Sequence, residues 1–211
     1  MRGDGLIKFY NNKAKKVRPT LDAAVNALRT LACDKTAFGS EFILRDSVDM
    51  ARTVLGKLLN FVFIRAIESR QDKSRLNELG SIYFEGIELM QNLLSVNKDF
   101  SIKDTLDYIS SVTDTNPDFE KTLKRNIGNR YCSQAAYELV AYPIKKEAQA
   151  AFDMLYSKDD LDGDECSVAF KKIFADFEKI PLDSLQPCDI LSPEQSILQT
   201  AEFVNGHIDI F

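Results

Sequence analysis

Apolar residues recur every three or four positions along most of the chain, which is the spacing of one face of an α-helix. The stripe of the segment Thr20–Ala32 consists of Leu21, Ala24, Val25, Leu28 and Leu31. A second helix is predicted to begin with Asp46 or Ser47 as its N-cap, because a periodic stripe follows directly. Between Val54 and Ile67 this segment is apolar on nearly every side, which is typical of a central helix in a bundle.

Start signals and breakers predict further helices in the middle of the chain. One is predicted from about Ser74 to Ser95, with Gly80 and Gly86 at positions where helices approach closely. Ser101 and Asp104 have the spacing of a capping box and predict the start of a shorter helix.

The shorter helix is predicted to carry the apolar residues Ile102, Leu106, Ile109 and Val112. Asn116 followed by Pro117 is the next start signal, since proline is favoured at the first helical position. A long helix is predicted from there to Tyr142, where Pro143 interrupts or restarts it.

The acidic stretch "SKDDLDGDEC" is similar to a calcium-binding EF-hand loop. Lys158 and Ala169 stand where that loop needs an aspartate and a bidentate glutamate, so we reject this interpretation. We expect an acidic start for a helix over Cys166–Lys179, which buries Val168 among others.

A capping box with proline at the first helical position, Ser192-Pro193-Glu194-Gln195, predicts a last helix that stops at Asn205-Gly206. No segment alternates long enough to predict a sheet. We therefore predict an all-α fold, a bundle of about six to eight helices with long central helices. The predicted organisation is a basic N-terminal arm over 1–18, a helical bundle over 19–181, and a C-terminal capped helix and tail over 182–211, packed on the bundle.

The charge is uneven along the 211 residues. The net charge of −5 gives no overall attraction to nucleic acid or to an anionic membrane. Residues 1–18 nevertheless carry +5, and the segment from Asp153 onward carries −9. The two regions attract each other or a partner, or they are simply two solvated surfaces.

Few residues of the chain are suited to catalysis. Cys33, Cys132, Cys166 and Cys188 stand apart, and His207 is a lone histidine. Nucleotide-binding and hydrolase motifs are absent from the sequence, as are the repeated Glu-x-x-His pairs of a di-iron bundle. We predict a protein that is not an enzyme on its own residues and that binds no metal and no cofactor.

Compartment and partners follow from the same composition. The sequence contains neither an Asn-x-Ser/Thr acceptor nor a signal-peptide-like apolar run, and isolated cysteines favour reduced thiols. We expect a soluble, cytoplasmic protein without a membrane span, whose partner is another protein or a second copy of itself, and not nucleic acid.

The stretch "KRNIGNRY" contains the candidate binding residues Lys124, Arg125, Arg130 and Tyr131. Helical geometry places Lys124 and Arg125 on a solvated face, whereas Arg130 falls within the apolar stripe. The apolar positions after Gly128 are displaced by roughly 100° around the helix axis. Either the helix kinks there and leaves Arg130 at a concave binding corner, or Arg130 is buried beside a carboxylate. We expect Arg130→Ala to have a larger effect than Lys124→Ala.

Three stretches, "LRDSVDMARTVLGKLL", "LNELGSIYFEGIELMQNLLSVNKDF" and "FEKTLKRNIGNRY", resemble the C-terminal all-helical domain of alpha-N-acetylglucosaminidases. The resemblance covers about Leu21 to Leu155. It implies a helical support domain, since the catalytic carboxylates of that family lie in a separate barrel domain and none carries over to this sequence.

Three functions follow as hypotheses. The first is a non-catalytic interaction or structural protein that acts through helix surfaces and charged ends. The second is an accessory helical domain, or a divergent relative, of an alpha-N-acetylglucosaminidase-type glycoside hydrolase. The third is a carrier of a small apolar ligand, with a pocket lined by Phe61, Phe63, Tyr83 and Phe84.

Overall fold

A computed structural model of the chain describes residues 3–34, 36–114, 116, 118–127, 136–158, 161–185 and 191–210, with the backbone alone for 3–16. Every regular element in these ranges is helical and none is a strand, which confirms the all-α bundle. Within the same ranges no helix combines the length and the apolar character that a membrane crossing requires. The helices are α1 (Gly3–Cys33), α2 (Glu41–Glu68), α3 (Lys73–Ser95), α4 (Ile102–Val112), α5 (Phe119–Ile127), α6 (Tyr137–Leu139), α7 (Lys145–Lys158), α8 (Gly163–Phe177) and α9 (Pro193–Gly206).

Helices α1, α2, α3 and α9 pack on one another as an antiparallel bundle. A short turn joins α2 to α3, so these two helices run in opposite directions. Two ion pairs, Arg29 with Glu202 at 2.6 Å and Arg18 with Asp209 at 2.7 Å, connect α1 to α9 and the turn after it. Because the residue number rises along α1 while it falls along the partner segment, α1 and α9 are antiparallel as well.

Helix α1 crosses the boundary that the sequence predicts between an arm and a bundle. It begins at Gly3, contains Pro19 and continues to Cys33. The ion pair of Arg18 with Asp209 is therefore a contact between the basic N-terminal region and the acidic C-terminal third.

Gly86 lies where α3 meets α2 and α9. A Cβ atom at this position would lie 2.5 Å from Leu59 Cδ2 and 3.2 Å from Phe203 Cε1, so glycine permits the close approach. At Gly80 the nearest atom would be the Tyr156 hydroxyl at 3.2 Å, a milder contact. The predicted close approach of helices is thus confirmed most clearly at Gly86.

Two groups of buried apolar side chains are present. The bundle core lies between α1, α2, α3 and α9 and extends to α7; it includes Leu28, Val62, Leu79, Met90, Phe152 and Val204. The small core lies between α4, α6 and α8; its buried members among the described residues are Ile102, Ala136, Leu139, Phe177 and Leu182.

Side-chain caps fix several helix starts where the sequence predicts them. The Ser101 hydroxyl accepts the Asp104 N–H at 3.0 Å, and Ser192 forms a complete capping box with Gln195. The Asp162 carboxylate accepts the first N–H groups of α8, which confirms the acidic start expected instead of a calcium loop.

The start of α2 differs from the prediction. The helix begins at Glu41, one turn before the expected caps Asp46 and Ser47. The additional turn carries Phe42 and Ile43, which do not belong to the buried stripe and are exposed to solvent. These two residues therefore do not extend the periodic apolar pattern from which the start of the helix was predicted.

Pro143 lies inside a wide helical turn over Val140–Ile144. Proline cannot donate a backbone hydrogen bond, and the Lys145 N–H reaches back five residues to the Val140 carbonyl. The helical path therefore passes through Pro143 into α7.

The burial predicted for Val168 is wrong, because this side chain is 70% exposed, and Val112 at the end of α4 is 65% exposed. Helix α4 is buried mainly at its first residue, Ile102, and α8 is buried at Cys166 and Phe177. Each helix therefore leaves part of its apolar surface uncovered.

Candidate functional site

Only part of the candidate binding stretch falls within the described residues. Arg130 and Tyr131 lie outside them, so the predicted concave corner and the alternative of a buried arginine both stay predictions. Lys124 and Arg125 lie in the last turn of α5.

Lys124 is buried, with 1% of its surface exposed, so its predicted place on a solvated face is wrong. Its Nζ lies 2.7 Å from Glu120 Oε1 and donates a hydrogen bond to the Ile180 carbonyl. The same ammonium lies 5.3 Å from the centroid of the Phe177 ring, within cation–π range. The end of α8 covers this side of α5, and a helical wheel of α5 alone cannot show that contact.

Arg125 is exposed but engaged within the chain. Its Nε and Nη2 donate to the two carboxylate oxygens of Glu178 at 2.6 Å and 2.9 Å, the bidentate geometry that guanidinium favours. These hydrogen bonds are the main reason why the pKa of the Glu178 carboxyl lies below its usual value. Arg125 and Lys124 therefore fasten α5 to the end of α8, and both already have intramolecular acceptors.

A buried carboxylate fills the N-terminus of α4. Glu138 is fully buried and accepts hydrogen bonds from the Ser101 hydroxyl at 3.1 Å, the Ile102 N–H at 3.0 Å and the Lys103 N–H at 2.9 Å. An anion is stabilised at this end of a helix by the free N–H groups and the helix dipole. Burial, assisted by the neighbouring Glu138 charge, raises the pKa of Tyr137 to about 12. Groups of the protein itself supply the hydrogen-bond donors to the Glu138 carboxylate, and these bonds hold α4 against α6.

An open groove of about 530 Å³ lies between α2, the turn 97–100 and α4. A smaller one of about 230 Å³ adjoins it and shares Lys98 and Asp99. The ion pairs here are long: Arg45 Nε lies 3.5 Å from Asp99 Oδ2, and Lys98 Nζ lies 4.0 Å from Glu41 Oε1. Such exposed pairs are weak, so these charges are available to a binding partner. The larger groove is lined by Arg45, Lys98, Asp99, Asp104, Thr105 and Tyr108.

Large apolar side chains are exposed around this groove. Tyr108 lines it and is 70% exposed, and Val112 lies one helical turn further along α4. Phe42, 79% exposed, is one turn before Arg45 on α2, so it lies beside the groove. We call this region the α2–α4 surface; it consists of Phe42, Arg45, Lys98, Asp99, Asp104, Tyr108 and Val112.

Sequence reasoning missed the α2–α4 surface because its two walls are distant in sequence. One signal was available. Phe42 and Ile43 lie outside the buried stripe of their segment, and apolar residues outside a stripe are candidates for exposure. Nothing in the sequence paired them with Tyr108.

The rings that the sequence offers as lining for an apolar pocket contact one another. Phe63, Tyr83 and Phe84 surround Phe152 with centroid distances of 5.4–5.7 Å. Phe61 is buried in the bundle core. Aromatic rings at these separations attract each other and fill the space between the helices. In the part of the chain that the structure describes, no three His, Cys, Asp or Glu side chains are grouped as a metal site.

No family model matches this chain, and no curated protein or solved structure is significantly similar to it. The resemblance to the helical domain of alpha-N-acetylglucosaminidases therefore stays a hypothesis that rests on the three quoted stretches.

Proposed function

We propose that this protein is a non-catalytic interaction protein and that the α2–α4 surface binds another protein chain. One observation carries the proposal. The exposed large apolar side chains Phe42, Tyr108 and Val112 border a groove that is lined by charges of both signs.

An exposed apolar patch with a polar rim is the usual mark of a protein-binding surface. Phe42 and Tyr108 supply large contact areas at a low cost in side-chain entropy, as aromatic residues do at binding hot spots. Among the residues that the structure describes, Arg45 and Asp99 form a long ion pair with each other, so a partner can replace that contact with shorter hydrogen bonds. The apolar residues thus supply affinity and the charges fix the orientation.

The most direct test is a photo-crosslinking amino acid placed at position 42 of the full chain. Val168 is the matched control position, because it is 70% exposed on α8 and is not part of the α2–α4 surface. We expect crosslinks from position 42 to a discrete set of chains and only diffuse background from position 168. Equal background at both positions would overturn the proposal.

A pair of substitutions tests the same surface without a probe. Phe42→Ser is expected to reduce retention of the crosslinked partner in a pull-down at least tenfold, whereas Val168→Ser leaves it unchanged. Melting temperatures of the two variants should agree with that of the parent chain, since both side chains are exposed.

A further inference from the structure

We infer that the partner of the α2–α4 surface is a second copy of this chain, related by a two-fold axis that runs along the groove. This inference rests on the proposed function and names its partner. It follows from how charges and apolar groups are distributed over the surface.

The charges of the α2–α4 surface are complementary to those of the same surface on a second copy of the chain. Arg45 and Lys98 are cations, Asp99 and Asp104 are anions, and all four line one groove. A two-fold interface brings the same patch of both copies together, so a patch of one sign would repel its copy. A patch with two charges of each sign can instead place every cation of one copy against an anion of the other.

The position of the walls decides which charges meet. Arg45 lies on the α2 wall of the groove and Asp104 lies on the α4 wall. A two-fold axis along the groove places α2 of one copy over α4 of the second copy. Arg45 then faces Asp104 of the second copy, and this contact occurs twice.

The exposed rings supply enough area for a weak to moderate dimer. Phe42 and Tyr108 are 79% and 70% exposed. Since a buried aromatic side chain covers about 150–250 Å², the four rings of two copies would contribute roughly 600 Å². A standard interface buries about 1,200–2,000 Å², and Val112 and the charged rim would contribute the remainder.

Sedimentation velocity of the full chain over a thousandfold range of concentration tests the inference. We expect a concentration-dependent monomer–dimer equilibrium. The double variant Phe42→Ser/Tyr108→Ser should weaken the dimer at least tenfold, and Val168→Ser should leave it unchanged. A dimer that is indifferent to the double variant would overturn the inference, because the copies would then meet through another face.

Charge reversal tests the two-fold arrangement directly. Arg45→Glu and Asp104→Arg should each give a folded monomer, because each places like charges against each other across the axis. A one-to-one mixture of the two variants should form a mixed dimer, since every facing pair is then of opposite sign again. Circular dichroism of each variant establishes that it is folded, and two folded variants that fail to form the mixed dimer would contradict the arrangement.

The outcomes also separate this inference from the proposed function. A chain that is monomeric at every concentration, but that crosslinks from position 42 to a different protein, overturns self-association and leaves the proposed function in place. A monomer without specific crosslinks overturns both.

Discussion

The bundle core and the small core are built by different means. The bundle core combines long helices, and the buried polar side chains that the structure describes on these helices are uncharged: Ser47, Gln91, Asn92, Ser196 and Thr200. Among the described residues, the small core has five buried apolar side chains and is bordered by two buried ionisable ones, Lys124 and Glu138. Lys124 hydrogen-bonds the carbonyl that follows α8, and Glu138 hydrogen-bonds the first N–H groups of α4.

The difference shows what a short helix requires in order to stay attached. Helices α4 and α5 are too short to bury much apolar area, so charge-assisted hydrogen bonds to helix ends replace part of it. Such contacts are favourable only while every partner is present, since an unpaired buried group is costly. We therefore expect the bundle core to respond to lost volume and the small core to respond to lost hydrogen bonds.

The largest effect is expected from Phe152→Ala in the bundle core. Phe152 is fully buried against Phe63, Tyr83 and Phe84, so truncation leaves a cavity and should lower the free energy of unfolding by about 3–5 kcal/mol. Urea unfolding measures this loss. Phe152→Leu, which retains most of the volume, should lose less than half as much, and a cost below about 1 kcal/mol for the alanine variant would contradict tight packing at this position.

Glu138→Ala is expected to cost about 3 kcal/mol, because it leaves the N–H groups of Ile102 and Lys103 without their acceptor. Hydrogen exchange should localise the effect, with both amides exchanging faster while the amides of α2 are unchanged. Glu138→Gln keeps one acceptor oxygen and should cost about half as much. Unchanged exchange at both amides would show that the carboxylate is not what holds α4.

Lys124→Ala is expected to cost about 2 kcal/mol through the lost hydrogen bond to the Ile180 carbonyl and the cavity under Phe177. The control is Lys121→Ala, an exposed lysine one turn earlier on the same helix, which should change stability by no more than about 0.5 kcal/mol. Thermal unfolding of both variants measures the difference. Equal effects would mean that Lys124 is solvated after all.

The smallest effect compares two glycines of α3. Gly86→Ala gains helix propensity but forces Leu59 or Phe203 to move, for a net loss of roughly 1 kcal/mol. Gly80→Ala gains the same propensity and meets mainly the Tyr156 hydroxyl, so it should be neutral or slightly stabilising. In urea unfolding Gly86→Ala should therefore be less stable than Gly80→Ala, and a stabilising Gly86→Ala would argue against close approach at that position.

Local signals predicted the fold well because they depend on neighbouring residues. The caps Ser101 and Ser192 act over three positions and form as expected. The prediction of where α2 begins was wrong, because Phe42 and Ile43 face solvent and are not part of the buried apolar stripe on which the prediction depended. The sequence therefore located helices through their buried faces and missed a turn that has none.

The site could not be predicted from local signals. Lys124 is buried by contacts 56 residues away along the chain, and periodicity describes only which face of a helix is apolar, not what covers the polar face. The expectation that Arg130→Ala exceeds Lys124→Ala assumed a solvated Lys124, and that assumption is wrong. The α2–α4 surface likewise depends on the distant pair Arg45 and Asp99.

The pairing of α1 with α9 has a consequence for the time course of synthesis. Arg29 and Glu202 are 173 residues apart, so at 5–20 residues per second α1 would wait roughly 10–35 s for its neighbour. During that interval the stripe of Leu21, Val25 and Leu28, buried in the finished bundle, lacks the cover that α9 provides. A nascent chain therefore exposes this stripe of α1 to aggregation and to chaperones until α9 has been synthesised.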